Sequence, residues 1–347
     1  MKTLRAGIIG VSGYTGADLL KILHKHPHFT ISYVANTQGG VNLGEIHREF
    51  YNVLDLPVQK ASVQDVYAQC DVVFLALPHK SAMEFVKALR DYGGLDSNDR
   101  DSHKLKIIDL SADYRLSAEH YEAVYCPHID YEGLSHAVYG LPEYAHSAIA
   151  NASLVANPGC YPTATLLALL PFLPYVEGEI FVDAKSGVSG AGKKLTDDTH
   201  YPNINENIFS YAPLTHRHQI EIEEKCAQFG AMSARVHFVP HLCPFTRGML
   251  VSVFATLKSE YAEIEPLEVL QRAYANAPFV RICHQSVRVS NVRGSNMCDI
   301  FALKRGRALY VSSAIDNLMR GASSQAVVNA NIMCGFAPES GIPQVGW

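Results

Sequence analysis

The residues of this chain most able to do covalent chemistry lie in Asn157-Pro158-Gly159-Cys160-Tyr161-Pro162, where one cysteine follows a strand-like run and precedes an apolar helical stretch, Thr163 to Leu170. Pro162 suits a first helical turn. A thiol at a helix amino terminus meets unpaired N–H groups and a favourable dipole, which stabilise the thiolate and lower a reference pKa of roughly 8.5. The other seven cysteines lack this setting; Cys70, Cys226 and Cys334 fall in helical or pre-strand patterns that bury an inert thiol. A nucleophilic thiol needs a base, and His216-Arg217-His218 opens a second helical pattern, Thr215 to Phe229. Helix residues two apart point about 200° from each other, so one of the two histidines is expected to face the thiol. His218 shares its more apolar face with Ile222, Cys226 and Phe229 and is assigned as the acid/base; His216 is left to line the site or the solvent. Which of the two moves the proton stays open, and both as surface histidines is the bland alternative. Arg217 between them favours an anion site.

Three further segments carry groups for anions. Lys185 to Lys193 joins glycines, serines and flanking lysines after a β pattern, as a phosphate-cradling loop does, or a flexible hairpin loop. Ser111-Ala112-Asp113-Tyr114-Arg115 ends a strand and offers Arg115 either as a bidentate grip on a substrate carboxylate or as half of a surface ion pair. Gly10-Val11-Ser12-Gly13-Tyr14-Thr15-Gly16 joins a strand to a helix with the spacing G-x-x-G-x-x-G, which admits a pyrophosphate or makes a merely tight turn. The second strand ends in Ala35-Asn36-Thr37-Gln38 without a carboxylate to bond a ribose 2′-hydroxyl, so the phosphorylated cofactor, NADP(H), is expected. No H-E-x-x-H or Cys/His cluster at zinc spacing occurs, and no metal is expected. The parts suggest a thiol attacking an activated carbonyl, a nicotinamide exchanging hydride with the adduct, and cationic groups holding phosphate and carboxylate.

The elements that must position these residues follow a simple alternation. Strand-like runs at Leu4 to Ile9, Ile31 to Ala35, Val72 to Leu77 (stopping at Pro78), Lys106 to Leu110 and Leu154 to Ala156 alternate with helical patterns, which predicts a Rossmann-type, doubly wound parallel sheet over residues 1–156. Beyond Asn157 longer β segments appear, at Ile180 to Ala184, Arg235 to Val239, Met249 to Thr256, Val287 to Val289 and Ala308 to Ser313, with helical patterns at Thr215 to Phe229 and Pro266 to Ala275. They predict a second, α+β domain over 157–313 with a mostly antiparallel sheet. A final helix from Ala314 to about Met333, within a tail 314–347, is expected to rejoin the first domain.

Composition agrees with an α/β enzyme. The 347 residues, 48% hydrophobic and 18% charged, suit two domains at about 150 residues each and exclude a disordered chain. A formal charge of −5 gives no broad basic footprint for nucleic acid or anionic lipid. The most apolar stretch, Thr163 to Val176, is shorter than a membrane span and holds Pro171 and Pro174, so neither signal peptide nor anchor is read. Scattered cysteines without C-x-x-C suggest a reducing cytoplasm.

With these residues in place the chain resembles the N-acetyl-γ-glutamyl-phosphate reductases of the aspartate-semialdehyde dehydrogenase-like superfamily over nearly its whole length. The resemblance rests on Gly10-x-x-Gly13-Tyr14-Thr15-Gly16, Pro158-Gly159-Cys160-Tyr161-Pro162-Thr163, Ser186 to Gly192, His216-Arg217-His218, Pro240-His241-Leu242 with Arg247-Gly248, and Asp316-Asn317 with Gly321-Ala322. It implies NADPH-dependent reduction of N-acetyl-γ-glutamyl phosphate to the semialdehyde with release of phosphate. Cys160 would form a thioester, and His218 would transfer the proton as the reduced adduct collapses. Cofactor-side residues implied are Gly10, Ser12, Gly13, Tyr14, Thr15, Gly16, Pro78, Ser186, Gly187, Ser189 and Gly190, with Asn317 near the nicotinamide amide. Substrate-side candidates are Arg115, Tyr211, His216 and Arg217. A homodimer or homotetramer is implied, acting on a small acyl phosphate and binding neither nucleic acid nor membrane. Two rivals remain: a related dehydrogenase acting on aspartyl or amino-adipyl phosphate, and an inactive NADP-binding protein.

Overall fold

Short, uninterrupted apolar runs build the first sheet. The computed structural model describes residues 3–93, 105–230 and 232–346, and the chain divides into two units, Met1–Pro158 with Ala322–Ile342 and Gly159–Gly321 with Pro343–Trp347. In the first unit the strands are β1 (Leu4–Ile9), β2 (Phe29–Asn36), β3 (Val41–Asn42), β4 (Pro57–Lys60), β5 (Val72–Leu75), β6 (Lys106–Asp109), β7 (Val138–Tyr139) and β8 (Leu154–Ala156). Val72-Val73-Phe74-Leu75 is buried throughout, as a parallel strand covered on both faces must be. The order is β3-β4-β2-β1-β5-β6-β8-β7, and only the short β3–β4 pair is antiparallel among the described residues. This is a doubly wound, mostly parallel sheet as predicted, and its order sets the carboxyl ends of β1, β5 and β6 side by side, where open α/β sheets bind ligands.

The last helix, Ser324–Met333, is buried at every position and packs against the helices Tyr14–Leu23 and Pro142–Asn151. Asn329 on it donates to the Gly140 carbonyl and to Asn157 Oδ1, each at 3.0 Å. The expected start at Ala314 is corrected. Ala314 and Ile315 close a strand, paired with Leu250 and Met249. Asp316 Oδ1 then accepts from the N–H groups of Leu318 and Met319 at 2.8 and 3.1 Å, a turn followed by the π-helical segment Met319–Ser323. Past Met333 the expected tail, 334–346, adds no further helix.

Among the described residues the second unit has seven strands, β9 (Val176–Gly187), β10 (Phe209–Ser210), β11 (Arg235–Cys243), β12 (Met249–Leu257), β13 (Val280–Ile282), β14 (Cys298–Arg305) and β15 (Ala308–Ile315). They run β10-β11-β9-β12-β15-β14-β13, parallel at β9–β11 and β13–β14 and antiparallel elsewhere, the mostly antiparallel sheet predicted. The helix Cys160–Leu169 packs on β12 and β15. Its residues Tyr161 to Leu169 are all buried, which explains a sequence apolar on every side, and Ser313 Oγ ties it to the sheet by donating to the Ala164 carbonyl at 2.7 Å. On the opposite sheet face His237, Phe181, Phe254, Tyr310 and Leu303 stand in register across five strands, and Phe181 is 54% exposed. Val287 to Val289 is no strand; the segment enters a 3-10 turn at Val289–Asn291. The β propensity of its valines finds no neighbouring strand to pair with, and β13 and β14 supply that side of the sheet instead. Among the described residues no helix is long and apolar enough to cross a membrane.

Candidate active site

Two groups of residues emerge, one in each unit. In the first unit the glycine turn links β1 to the helix Tyr14–Leu23, whose N-cap, Gly13, offers no side-chain hydrogen bond. Gly10 has φ +87°, and a Cβ there would stand 2.1 Å from the Ala76 carbonyl oxygen. A Cβ on Gly16 would stand 2.7 Å from the oxygens of Gly10 and Val11, whereas Gly13 meets only Gly10 O, at 3.8 Å. The glycines thus close the turn against its neighbours and leave its outer side bare. The amides of Tyr14, Thr15 and Gly16, in the helix's first turn, have no intrahelical acceptor by geometry. Such a turn fits a dinucleotide pyrophosphate. Ser12 Oγ accepts from Asn36 Nδ2 at 3.1 Å, so the end of β2 presents a neutral amide. Ser323 Oγ donates to the Thr15 carbonyl at 3.0 Å.

Pro78 follows β5, two residues after the Ala76 that Gly10 lies against, and Arg115 follows β6. The Arg115 guanidinium is buried rather than on the surface. It is 6% exposed, with Nε donating to the Asn157 carbonyl at 2.7 Å and an Nη donating to that of Leu110 at 2.8 Å. Burial, then the charge of Asp113, pushes the Asp109 carboxyl up to about 7; it accepts from the N–H and hydroxyl of Ser111 at 2.9 and 2.7 Å.

In the second unit Cys160 is the first residue of its helix, behind the N-cap Gly159. It is half-buried while the nine residues after it are buried. The helix His218–Gly230 packs against this one, which brings the histidine segment alongside. Here the sequence geometry needs correcting. The helix starts at His218, after a turn with positive φ at Ala212 and Leu214, so His216 precedes it and the 200° argument does not apply. His216 Nδ1 accepts from the His218 N–H at 3.1 Å. The two rings lie 4.8 Å apart and both edge onto Tyr161, at 5.7 and 5.8 Å. Burial, then the Arg217 charge, lowers His216 to about 4. Arg217 itself is exposed. Tyr211 donates to the Tyr161 hydroxyl at 3.0 Å and is pushed up to about 12, mainly by burial and further by the charge of Cys160.

The segment Ser186 to Gly190 is held rather than loose. The N–H groups of Gly187, Val188 and Ser189 donate to the carbonyls of Gly248, Phe245 and Thr246 at 2.8, 2.9 and 3.2 Å. These three amides are therefore not the phosphate donors the glycine pattern suggested. A Cβ on Gly187 would meet that same backbone at 2.8 Å. Asn317 Nδ2 donates to Ser189 Oγ at 3.0 Å, and its Oδ1 accepts from the Gly248 N–H at 2.7 Å, fixing the turn to the end of β15.

Three neighbours of the thiol were given no role by sequence reasoning. Glu221, 1% exposed, accepts from the Gly159 N–H at 3.1 Å; its spacing of three from His218 was the available signal. Tyr161 centres the ring cluster and also donates to the His241 carbonyl at 3.3 Å. Gly321 lies so near that a Cβ on it would be 2.6 Å from Cys160 Cβ, a proximity with no local sequence signal.

Comparison with known proteins agrees with this division. Residues 5–152 match the semialdehyde dehydrogenase NAD binding domain and residues 160–317 the semialdehyde dehydrogenase dimerisation domain. The fold matches aspartate semialdehyde dehydrogenase II of Vibrio cholerae with a TM-score of 0.71 over 96% of this chain and 99% of that one, at 16% identity. Fold and site thus define the semialdehyde dehydrogenase class. N-acetyl-gamma-glutamyl-phosphate reductase of Wolinella succinogenes is 54% identical over 100% of this chain and 99% of its own, and that of Sulfurovum sp. is 51% identical over 99% and 98%. The chain belongs to the N-acetyl-gamma-glutamyl-phosphate reductase family.

Proposed function

We propose that the chain reduces N-acetyl-γ-glutamyl phosphate to N-acetyl-L-glutamate 5-semialdehyde with NADPH, releasing inorganic phosphate, as a step of arginine biosynthesis. The observation that carries the reading is the half-exposed Cys160 thiol at the head of a buried helix, on a unit that also holds the paired His216 and His218 rings. Bound NADPH supplies the hydride. Gly10, Ser12, Gly13, Tyr14, Thr15 and Gly16 would take its pyrophosphate with Pro78 beside them. Ser186, Gly187, Ser189, Gly190 and Asn317 are the residues proposed for the nicotinamide side. The neutral Asn36 at the end of β2 favours the phosphorylated cofactor, since no carboxylate there repels a 2′-phosphate.

Cys160 Sγ, as thiolate, bonds to the acyl carbon while the C–O bond to phosphate breaks and phosphate leaves with the electron pair. Once hydride has added to that thioester, His218 gives a proton to the adduct oxygen and recovers it as the C–S bond breaks, releasing the aldehyde and the thiolate. His216, held neutral by burial, serves as a hydrogen-bonding group on the substrate side with Tyr211. Arg217 and Arg115 supply positive charge for phosphate and carboxylate. All eight cysteines are free, which supports a cytoplasmic setting. The open face of the second sheet, within the matched dimerisation domain, supports a homodimer or homotetramer.

Cys160→Ser tests the reading. Phosphate-dependent oxidation of the semialdehyde by NADP should be abolished while NADP still raises the melting temperature; retained turnover in this variant overturns the mechanism.

A further inference from the structure

We propose that Glu221 is a positioning residue for this reaction, the strut that fixes the nucleophile's turn against the helix carrying the acid/base. The proposal rests on the reading of Cys160 as nucleophile. Glu221 is 1% exposed, and its carboxyl oxygen accepts from the Gly159 N–H at 3.1 Å. Gly159 caps the helix that Cys160 opens, so this bond grips the residue next to the thiol. At its other end Glu221 belongs to the first turn of the helix His218–Gly230, three residues after His218 and on the same face. One side chain therefore spans the two segments whose separation the proton transfer depends on.

The burial of a carboxyl group here has a physical reason. The amino ends of two helices converge on it, and their N–H groups without intrahelical acceptors are donors that a buried carboxyl oxygen can accept from. Without the acceptor, the Gly159–Cys160 turn loses its tie and the thiol shifts relative to His218 and the acyl carbon. A misplacement of about 1 Å costs on the order of 100-fold in rate.

Glu221→Ala and Glu221→Gln distinguish this role from mere core packing. Each is compared with wild type for kcat and KM in the NADP- and phosphate-dependent oxidation, and for the rate of Cys160 alkylation by iodoacetamide in the substrate-free protein across neutral to alkaline pH. Glu221→Ala should lower kcat by roughly 30- to 100-fold and slow alkylation, with KM for NADP changed less than about 2-fold. Glu221→Gln keeps a carbonyl acceptor for Gly159 and should recover most of both rates. Wild-type kcat and alkylation in Glu221→Ala, or a Gln variant as damaged as Ala, overturns the strut. Should the Ala variant fail to fold, Glu221→Asp replaces it: the shorter side chain cannot span the gap and should be slower than Gln, and the reverse order overturns the proposal. Alkylation needs no substrate, so it tests the strut even where the substrate assignment itself fails.

Discussion

Cys160 sits in a space with one wall made of nothing but a glycine. A Cβ on Gly321 would come within 2.6 Å of Cys160 Cβ and 3.1 Å of its Cα, contacts that only movement of the helix end can relieve. Gly321→Ala should therefore push the thiol from its place, lowering kcat on the order of 100-fold and costing about 1–3 kcal/mol of stability from overpacking. Steady-state kinetics and thermal unfolding check both parts. A variant with full activity would show that the thiol's position is not critical. At this scale the sequence singled out the proposed nucleophile but not its walls. Cys160 was legible because Pro162 and the apolar run behind it mark a helix start, whereas Gly321 reaches it across 160 intervening positions.

Between secondary-structure elements, the decisive feature is how closely the glycine turn seats its helix. Gly16 lets the helix Tyr14–Leu23 begin directly over Gly10 and Val11, where any Cβ would lie 2.7 Å from backbone atoms. Gly16→Ala should lift the helix amino terminus from the turn and raise KM for NADP by roughly 10-fold, about 1.4 kcal/mol of binding, with a much smaller effect on Cys160 alkylation. Equal loss of both would place the turn's role elsewhere. Strands with strong apolar runs were readable here, and β1 and β8 have the bounds the pattern predicts. The failures share a cause. β13 and β14 owe their extended form to partners in the sheet, Ala314 was drawn into β15 by its pairing with Leu250 and Asp299, and His216 left the helical pattern because a left-handed turn precedes it. Helical periodicity in a window cannot register tertiary pairing or a turn that non-glycine residues make with positive φ.

Across the whole molecule, two titrating groups, the half-buried His216 and the buried Asp109, act on stability with opposite sign. His216 has its pKa lowered from 6.5 to about 4, so the unfolded chain binds its proton first; its contribution is complete above about 6.5 and is lost as pH falls towards 4. Asp109 has its pKa raised from 3.8 to about 7, so the folded chain holds the proton longer; its contribution is present at low pH and is lost as pH rises towards 7. The two trends offset each other between roughly pH 4 and 7. Asp109→Asn should steepen the rise of melting temperature with pH over that range, and His216→Asn should flatten or reverse it. Identical pH profiles in both variants and wild type would contradict these burial effects.

The most direct test of a thiol nucleophile is to look for the bond it makes. Enzyme mixed with N-acetyl-γ-glutamyl phosphate in the absence of NADPH, quenched in acid and digested, should yield the peptide bearing Cys160 with the mass of an N-acetylglutamyl thioester, and hydroxylamine should remove it. A peptide left unmodified while the same preparation turns over, or the acyl group found on another side chain, would contradict the account.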